Sequence, residues 1–307
     1  MNRADMIFDL SSIWATVKEV FPYFDRLPFD WDEQYHTYLD KILRISDEGD
    51  FHRLLQAFME SLKDGHTKYI PPDAYRTPKP FVQPDAPSFT IHEGVLTIKI
   101  NEFMKNHAPY VRELLAETPN ISLVRLDIRN NCGGNTYHAA KVAELFISGI
   151  FQNCQKWTQV RKALDTASAS QLVRYSEERI QQYIRDGMIS EEDIANAKRV
   201  MNCTKYETYT SSYGAENQCA IYEGPLEILI SRNTISAAED FTAMFKSNKR
   251  GTLIGEPTYG STGTPCMIPL RCGGRAQVVS VGYRLMDGTE FIGKGIMPDV
   301  ERNAASI

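Results

Sequence analysis

Ser236 sits where two periodicities meet. LEILIS, from Leu226 to Ser231, is an apolar, β-branched run of strand length, and Asn233-Thr234 follows as a turn. From Ser236 onward, Ala237, Ala238, Phe241, Met244 and Phe245 recur at helical spacing, with Glu239 and Asp240 in the first turn, where the helix dipole favours acids. A hydroxyl at such a strand-to-helix junction is exposed at the carboxyl edge of a sheet, beside backbone N–H groups that the helix leaves unpaired. Those groups can bind a developing oxyanion, so the chemistry this position allows is attack by a serine on a carbonyl. A serine that merely caps the helix would look the same.

A second strand-turn-helix unit lies upstream in LVRLDIRNNCGGNTYHAAKVAELFI. Leu123 to Ile128 read as a buried strand, and Ala139, Ala140, Val142, Ala143, Leu145 and Phe146 form the apolar stripe of a helix. Between them, Gly133-Gly134 allow positive φ and let the backbone approach a ligand closely, a reading that coexists with a plain tight turn. With these units the chain resembles a known family, the serine peptidases that include the C-terminal processing (tail-specific) proteases, the tricorn core protease and the nisin resistance protease. The matching stretches are LKDGHT (Leu62–Thr67), LDIRNNCGG (Leu126–Gly134), TISAAE (Thr234–Glu239), IGEPTYG (Ile254–Gly260) and GKGIMPDV (Gly293–Val300). Cys132 stands where the family usually has another glycine.

The resemblance implies an α/β fold, a Clp protease/crotonase-like core of ββα units with an N-terminal helical domain. It makes Ser236 the nucleophile and the backbone N–H groups of Ala237 and of Gly133 or Gly134 the oxyanion hole. One branch of the family supplies its base as a lysine 25 positions after the serine; here that position is Ser261, so a Ser-Lys dyad is absent and Ser261→Ala is expected to be mild. Read alone, His66 is a polar turn residue after a helix, with Gly65 as the cap. In the His-dependent, tricorn-type branch a histidine in this place is the general base. That branch orients it with a glutamate through a serine beside the histidine, but Gly65 holds that place, so the orienting acid falls to Glu290 by region, then to Glu239 and Asp287, or the enzyme works as a dyad. No metal or cofactor is implied, and the partner is a peptide or unfolded protein substrate. The alternative from a different class is a catalytically silent peptide- or ligand-binding protein on the same scaffold.

The elements that must position these residues follow in chain order. Over residues 1–70, three apolar stripes predict an N-terminal helical domain ending in the His66 motif: Ile13, Val17, Val20 and Phe21; Trp31 and Tyr35 to Leu43; Leu54, Leu55, Phe58 and Leu62. Residues 71–87 carry Pro71, Pro72, Pro78, Pro80, Pro84 and Pro87 and read as an extended linker, too short for the PDZ domain that many family members place nearby. Residues 88–307 form the catalytic core. It opens on a hairpin around Glu93-Gly94 and carries a helical insertion at about 151–222, which reads equally as a lid over the cleft or as a packing excursion. Within the insertion DGMISEED suggests a calcium loop, but Gln182 and Ile184 occupy positions that need acids, which excludes it.

Composition bounds the rest. The 307 residues are 42% hydrophobic and 24% charged with net charge −5, ordinary for a globular protein and without the basic excess of a nucleic-acid binder. No stretch approaches a membrane span or a signal core, so the expected location is cytoplasmic as written, and exported or membrane-anchored if a signal segment has been removed. The cysteines lack zinc-site spacing, and free thiols are the expectation, with Cys266 and Cys272 the one pair inviting a disulfide. Oligomeric state is not legible.

Overall fold

The computed structural model describes residues 1–75, 84–158, 172, 175–202 and 207–303. Three helices open the chain, α1 (Arg3–Val20), α2 (Trp31–Ile42) and α3 (Glu48–Glu60). Each starts on a side chain that accepts first-turn N–H groups, Asn2, Asp30 and Asp47 in turn. Beyond them run β1 (Lys68–Ile70), β2 (Ser88–His92), β3 (Val95–Lys99), α4 (Ala108–Glu117), β4 (Leu123–Asp127), α5 (Thr136–Ala143), β5 (Phe151–Thr158), α6 (Glu177–Arg185), α7 (Glu191–Asn202), β6 (Glu207–Tyr213), β7 (Leu226–Ile230), α8 (Ala237–Ser247), β8 (Thr252–Gly255), β9 (Pro265–Pro269), β10 (Arg275–Val279), β11 (Gly282–Leu285) and β12 (Val300–Glu301).

Six strands form the central sheet in the order β12-β8-β7-β4-β3-β2, parallel throughout except for the β2–β3 hairpin, whose turn places Glu93 at φ 47° and Gly94 at φ 77°. Strands β4 and β7 are neighbours, with Asp127 opposite Leu229. The turns that follow them, carrying Gly133 and Ser236, therefore leave the same edge of the sheet side by side. Ligand crevices form at the carboxyl ends of parallel strands, so topology alone brings the two junctions together. The α8 helix is buried from Ala237 to Phe245, Glu239, Asp240 and Thr242 included, and packs against α5 and β5.

Two smaller antiparallel sheets flank this core, in the orders β1-β10-β9 and β11-β5-β6. The first holds His66: β1 begins two residues later and pairs with β10, while Gln277 Nε2 donates to the His66 carbonyl at 2.7 Å. The second adds to the expected helical insertion at 151–222: that segment opens on β5 and, after α6 and α7, pairs back through β6, leaving residues 214–222 to run on to β7. The reading of this segment as a lid falls partly on residues 159–171, 173–174 and 203–206, which lie outside the described residues.

The N-terminal helices have no core of their own. Leu10, Ile13, Val17, Trp31, Phe51, Leu55 and Phe58 join one hydrophobic cluster with Ile98, Leu126, Ile228, Phe241 and Val278. Asp9, fully buried on α1, accepts the backbone N–H of Arg271 at 2.8 Å and of Cys272 at 2.9 Å, pinning the β9–β10 turn. Cys266 and Cys272 are both free, as expected of the thiols in general, although they are the one pair that invites a disulfide. Register explains this: Cys266 faces Val278 across the ladder, and the Cys272 thiol lies 3.3 Å from the Tyr69 hydroxyl. Among the described residues no helix is long and apolar enough to cross a membrane.

Candidate active site

Ser236 adopts φ 60°, ψ −126°, outside the regions comfortable for a residue with a side chain. Such a conformation costs about 1–3 kcal/mol and persists only where the surroundings over-determine it. Here they do. Ser236 N–H donates to the Ser261 carbonyl at 3.0 Å and lies 3.3 Å from Glu239 Oε2, and Ile235 N–H donates to the Asn131 carbonyl at 3.1 Å. A strained strand-to-helix turn of this kind lifts the hydroxyl clear of the sheet.

His66 reaches that hydroxyl from the other side of the cleft, its Nε2 3.1 Å from Ser236 Oγ. The loop is held by His66 N–H donating to Asp64 Oδ1 at 3.0 Å and by Val279 N–H donating to Thr67 Oγ1 at 3.0 Å. Burial pushes the imidazole pKa below its ordinary 6.5, opposed by the charges of Asp64 and Asp240 and reinforced by Lys68. A neutral ring is the form that accepts a proton.

The other ring nitrogen, Nδ1, is hydrogen-bonded to the Ser261 hydroxyl. The expectation that Ser261 is a bystander left where a lysine is missing is therefore corrected: its side chain, 2% exposed, fills the place behind the imidazole. Gly65 makes this possible. A Cβ at residue 65 would sit 2.5 Å from Ser261 Oγ and 2.8 Å from its Cβ, so the serine that touches the ring arrives from residue 261 because the residue before the histidine has no side chain. The sequence signal was present, since the spacing from Ser236 singles out residue 261, but counting a lost lysine hides what a hydroxyl can do there.

Glu239 is fully buried on the first turn of α8 and takes four donors: Thr258 Oγ1 at 2.6 Å and Gly260 N–H at 2.7 Å on Oε1, Ser261 N–H at 2.7 Å and the longer Ser236 N–H on Oε2. Burial pushes its carboxyl up to about 7 against the pull of those donors. It grips the backbone on both sides of the site and makes no hydrogen bond to His66. Glu290, ranked first by region, is not brought to the site: it pairs with Arg26 at 3.0 Å, its side chain 46% exposed. Asp287 is exposed too and accepts from Thr289 N–H in its own turn. Both lie past the end of β11, where the turn at Gly288 carries the chain to the N-terminal helices.

Gly133, at φ 88°, passes so close to Ser236 that a Cβ would lie 2.7 Å from Ser236 Cβ and 2.7 Å from the Ile235 carbonyl oxygen. Its N–H is already committed to Asn131 Oδ1 at 2.9 Å, and Asn131, fully buried, also donates to the Ile100 carbonyl. Phe103 fixes the next residues by donating to the Gly133 carbonyl at 2.7 Å and accepting from Asn135 N–H at 3.0 Å. Among the described residues, the N–H groups of Gly134 and Ala237 have no hydrogen-bond acceptor. Cys132 is exposed in this turn and its N–H donates to the Asn101 carbonyl at 3.2 Å, so the turn closes without a third glycine.

The comparison with known proteins rests on the same elements. The model of "Peptidase family S41" matches residues 94–302, from β3 to the last strand, including Gly133, Gly134, Ser236, Glu239 and Ser261. The chain belongs to peptidase family S41. His66 lies before the matched region. Among curated relatives, the probable CtpA-like serine protease of Staphylococcus haemolyticus is 23% identical over 210 residues, 68% of this chain and 33% of that protein. Carboxyl-terminal-processing peptidase 2, chloroplastic, of Arabidopsis thaliana is 24% identical over 205 residues, 66% of this chain and 30% of its own length. The chain thus covers about a third or less of the curated relatives it matches. The fold is also that of solved structures. A putative peptidase from Parabacteroides merdae aligns with TM-score 0.68 and 14% identity, covering 99% of this chain and 90% of that one. The photosystem II D1 C-terminal processing protease aligns with TM-score 0.60 and 13% identity, covering 98% and 93%.

Proposed function

We propose that this chain is a serine peptidase in which Ser236 is the nucleophile, His66 the general base and Ser261 the group that fixes the His66 ring. One observation carries the reading: Ser236 is held in a strained conformation at a strand-helix junction with its hydroxyl 3.1 Å from a half-buried imidazole. With Nδ1–H donating to Ser261 Oγ, the Nε2 lone pair faces Ser236. It takes the Ser236 proton as Oγ bonds to the substrate carbonyl carbon. The carbonyl oxygen gains negative charge next to the free N–H groups of Ala237 and Gly134, which serve as the oxyanion hole. His66 then passes its proton to the leaving amine, the C–N bond breaks, and water attacks the acyl-enzyme by the same route in reverse. Glu239 contributes by holding the Ser236 and Ser261 backbones in register. The relatives named for carboxyl-terminal processing support a polypeptide near its carboxyl terminus as the substrate.

The test is reaction with a fluorescent fluorophosphonate together with hydrolysis of an unfolded protein such as casein. The wild-type chain should label on Ser236 and cleave, and Ser236→Ala should do neither. Loss of a junction hydroxyl should cost at most about 1 kcal/mol of stability, so the variant remains folded. Turnover retained in Ser236→Ala would sink the assignment.

A further inference from the structure

Asp240 lies one helical turn beyond Ser236, 3% exposed, its N–H donating to the Ser236 carbonyl at 3.2 Å, and its carboxylate makes no hydrogen bond to Ser236, His66, Ser261 or Glu239. Its two oxygens reach in different directions. Oδ2 accepts from Thr136 Oγ1 at 2.6 Å, and Thr136 opens α5 two residues after Gly134. Oδ1 accepts from Thr262 Oγ1 at 3.2 Å, and Thr262 follows Ser261 directly. These partners are 104 and 22 residues away in sequence, on the two loops that carry the unpaired Gly134 amide and the hydroxyl behind His66. An acid in the first turn of a helix is favoured by the dipole, but the dipole is served as well by an exposed carboxylate. Burial against two hydroxyls from two catalytic loops needs another reason.

We propose that Asp240 is a positioning residue: it ties the oxyanion turn and the Ser261 loop to the helix that carries Ser236, and through Thr262 it sets a carboxylate beside the loop whose hydroxyl backs His66. This rests on the serine peptidase reading above. An oxyanion donor must sit about 2.7–3.1 Å from an atom that exists only in the transition state, and a misplacement of about 1 Å costs roughly 100-fold. Three loops from distant parts of the chain have to share that tolerance. Glu239 fixes the Ser236 and Ser261 backbones to each other but has no bond to the glycine turn; the Asp240 carboxylate reaches both sides. Its charge acts on His66 together with Asp64 and Lys68 from the histidine's own segment. The other titratable groups around Asp240 are Glu239 beside it, Cys154 with Lys156 on β5, and Tyr283 on β11.

Two variants separate the roles, read by the pH dependence of fluorophosphonate inactivation of the intact chain. Asp240→Asn keeps the shape, and its amide accepts from one threonine and donates to the other, so the loops stay and only the charge goes. The acid limb of the inactivation rate should then move to lower pH with the plateau changed less than about tenfold. Asp240→Ala cuts both ties, and the maximal inactivation rate should fall roughly 10- to 100-fold while the reagent's half-saturating concentration changes little. If Asp240→Ala does not fold, the double variant Thr136→Val, Thr262→Val cuts the same ties and should show the same loss. A purely structural aspartate would lower thermal stability and leave the pH limb and the maximal rate where the wild type has them, and that result overturns the proposal. A wild-type chain that fails to label at all overturns the peptidase reading and this proposal with it. Normal labelling of Ser236 with unaltered variants overturns the Asp240 role alone.

Discussion

A base that must be neutral to act sets the pH profile. Burial holds the His66 pKa below 6.5, so the unprotonated ring persists to lower pH than in a free histidine. Attack by Ser236 needs that form, so the rate rises with pH through the His66 pKa. The midpoint of the acid limb is expected below about 6.5, with a plateau by neutrality. A lysine base would place the limb well above this unless strongly desolvated. His66→Ala should lose about 10²–10⁴ of the rate, and near-normal turnover with an unchanged profile would show that another group is the base. Ser261 has its own prediction. A hydrogen bond to a group that becomes charged in the reaction is worth about 1.5–3 kcal/mol, so Ser261→Ala should slow the reaction roughly 10- to 100-fold rather than mildly. Gly65→Ala should do comparable damage, since its Cβ would intrude on Ser261. In a Ser261→Gly background the same Gly65→Ala change should cost little further. Additive losses in this double-mutant cycle would mean the two positions do not compete for one space.

At the level of elements, what is legible in the sequence is whatever a local period writes down. The strand at Leu226 and the helix from Ala237 differ in period, and Ser236 is found at the change; the glycine turn after Leu126 is found in the same way. Both motifs lie on parallel neighbours, so the central sheet brings together what the sequence marks separately. The pairing of β1 with β10 is not legible, because both strands are short and lie some 200 residues apart in sequence. Ser261 and Gly65 meet only through that pairing, and the acid cannot be ranked without it: Glu239 looks like an ordinary first-turn helix acid, and only the backbone donors folded around it show otherwise. The close passage of the two loops gives an element-scale test. Gly133→Ala combines a positive φ, costing about 1–2 kcal/mol for a side chain, with a Cβ in contact with Ser236. Denaturant melts should show at least that loss, and fluorophosphonate labelling should fall far more than the fraction folded. Labelling at the wild-type rate would mean that the turn can retreat without disturbing Ser236.

For the whole molecule the open question is how substrate enters. The segment between β5 and β6 is anchored at both ends by the sheet it forms with β11, yet its helix α6 is thinly packed. Of the nine residues of α6 only Ile180 is buried, and Arg185 at its end is exposed. A helix that buries one apolar side chain gains little from the core, so it should open locally at a cost far below that of global unfolding. If this segment closes over the cleft, occupying the cleft should stabilise it. Brief trypsin treatment of the free chain should cut first between residues 151 and 222, after Arg185 among other sites, leaving β5 and β6 in the core. A peptide phosphonate bonded to Ser236 should slow those cuts several-fold. The same reagent added to Ser236→Ala should give no protection, which separates closure over bound peptide from a direct effect on trypsin. Equal cutting with and without the bonded peptide would assign the segment to packing and leave the cleft open to solvent throughout the reaction.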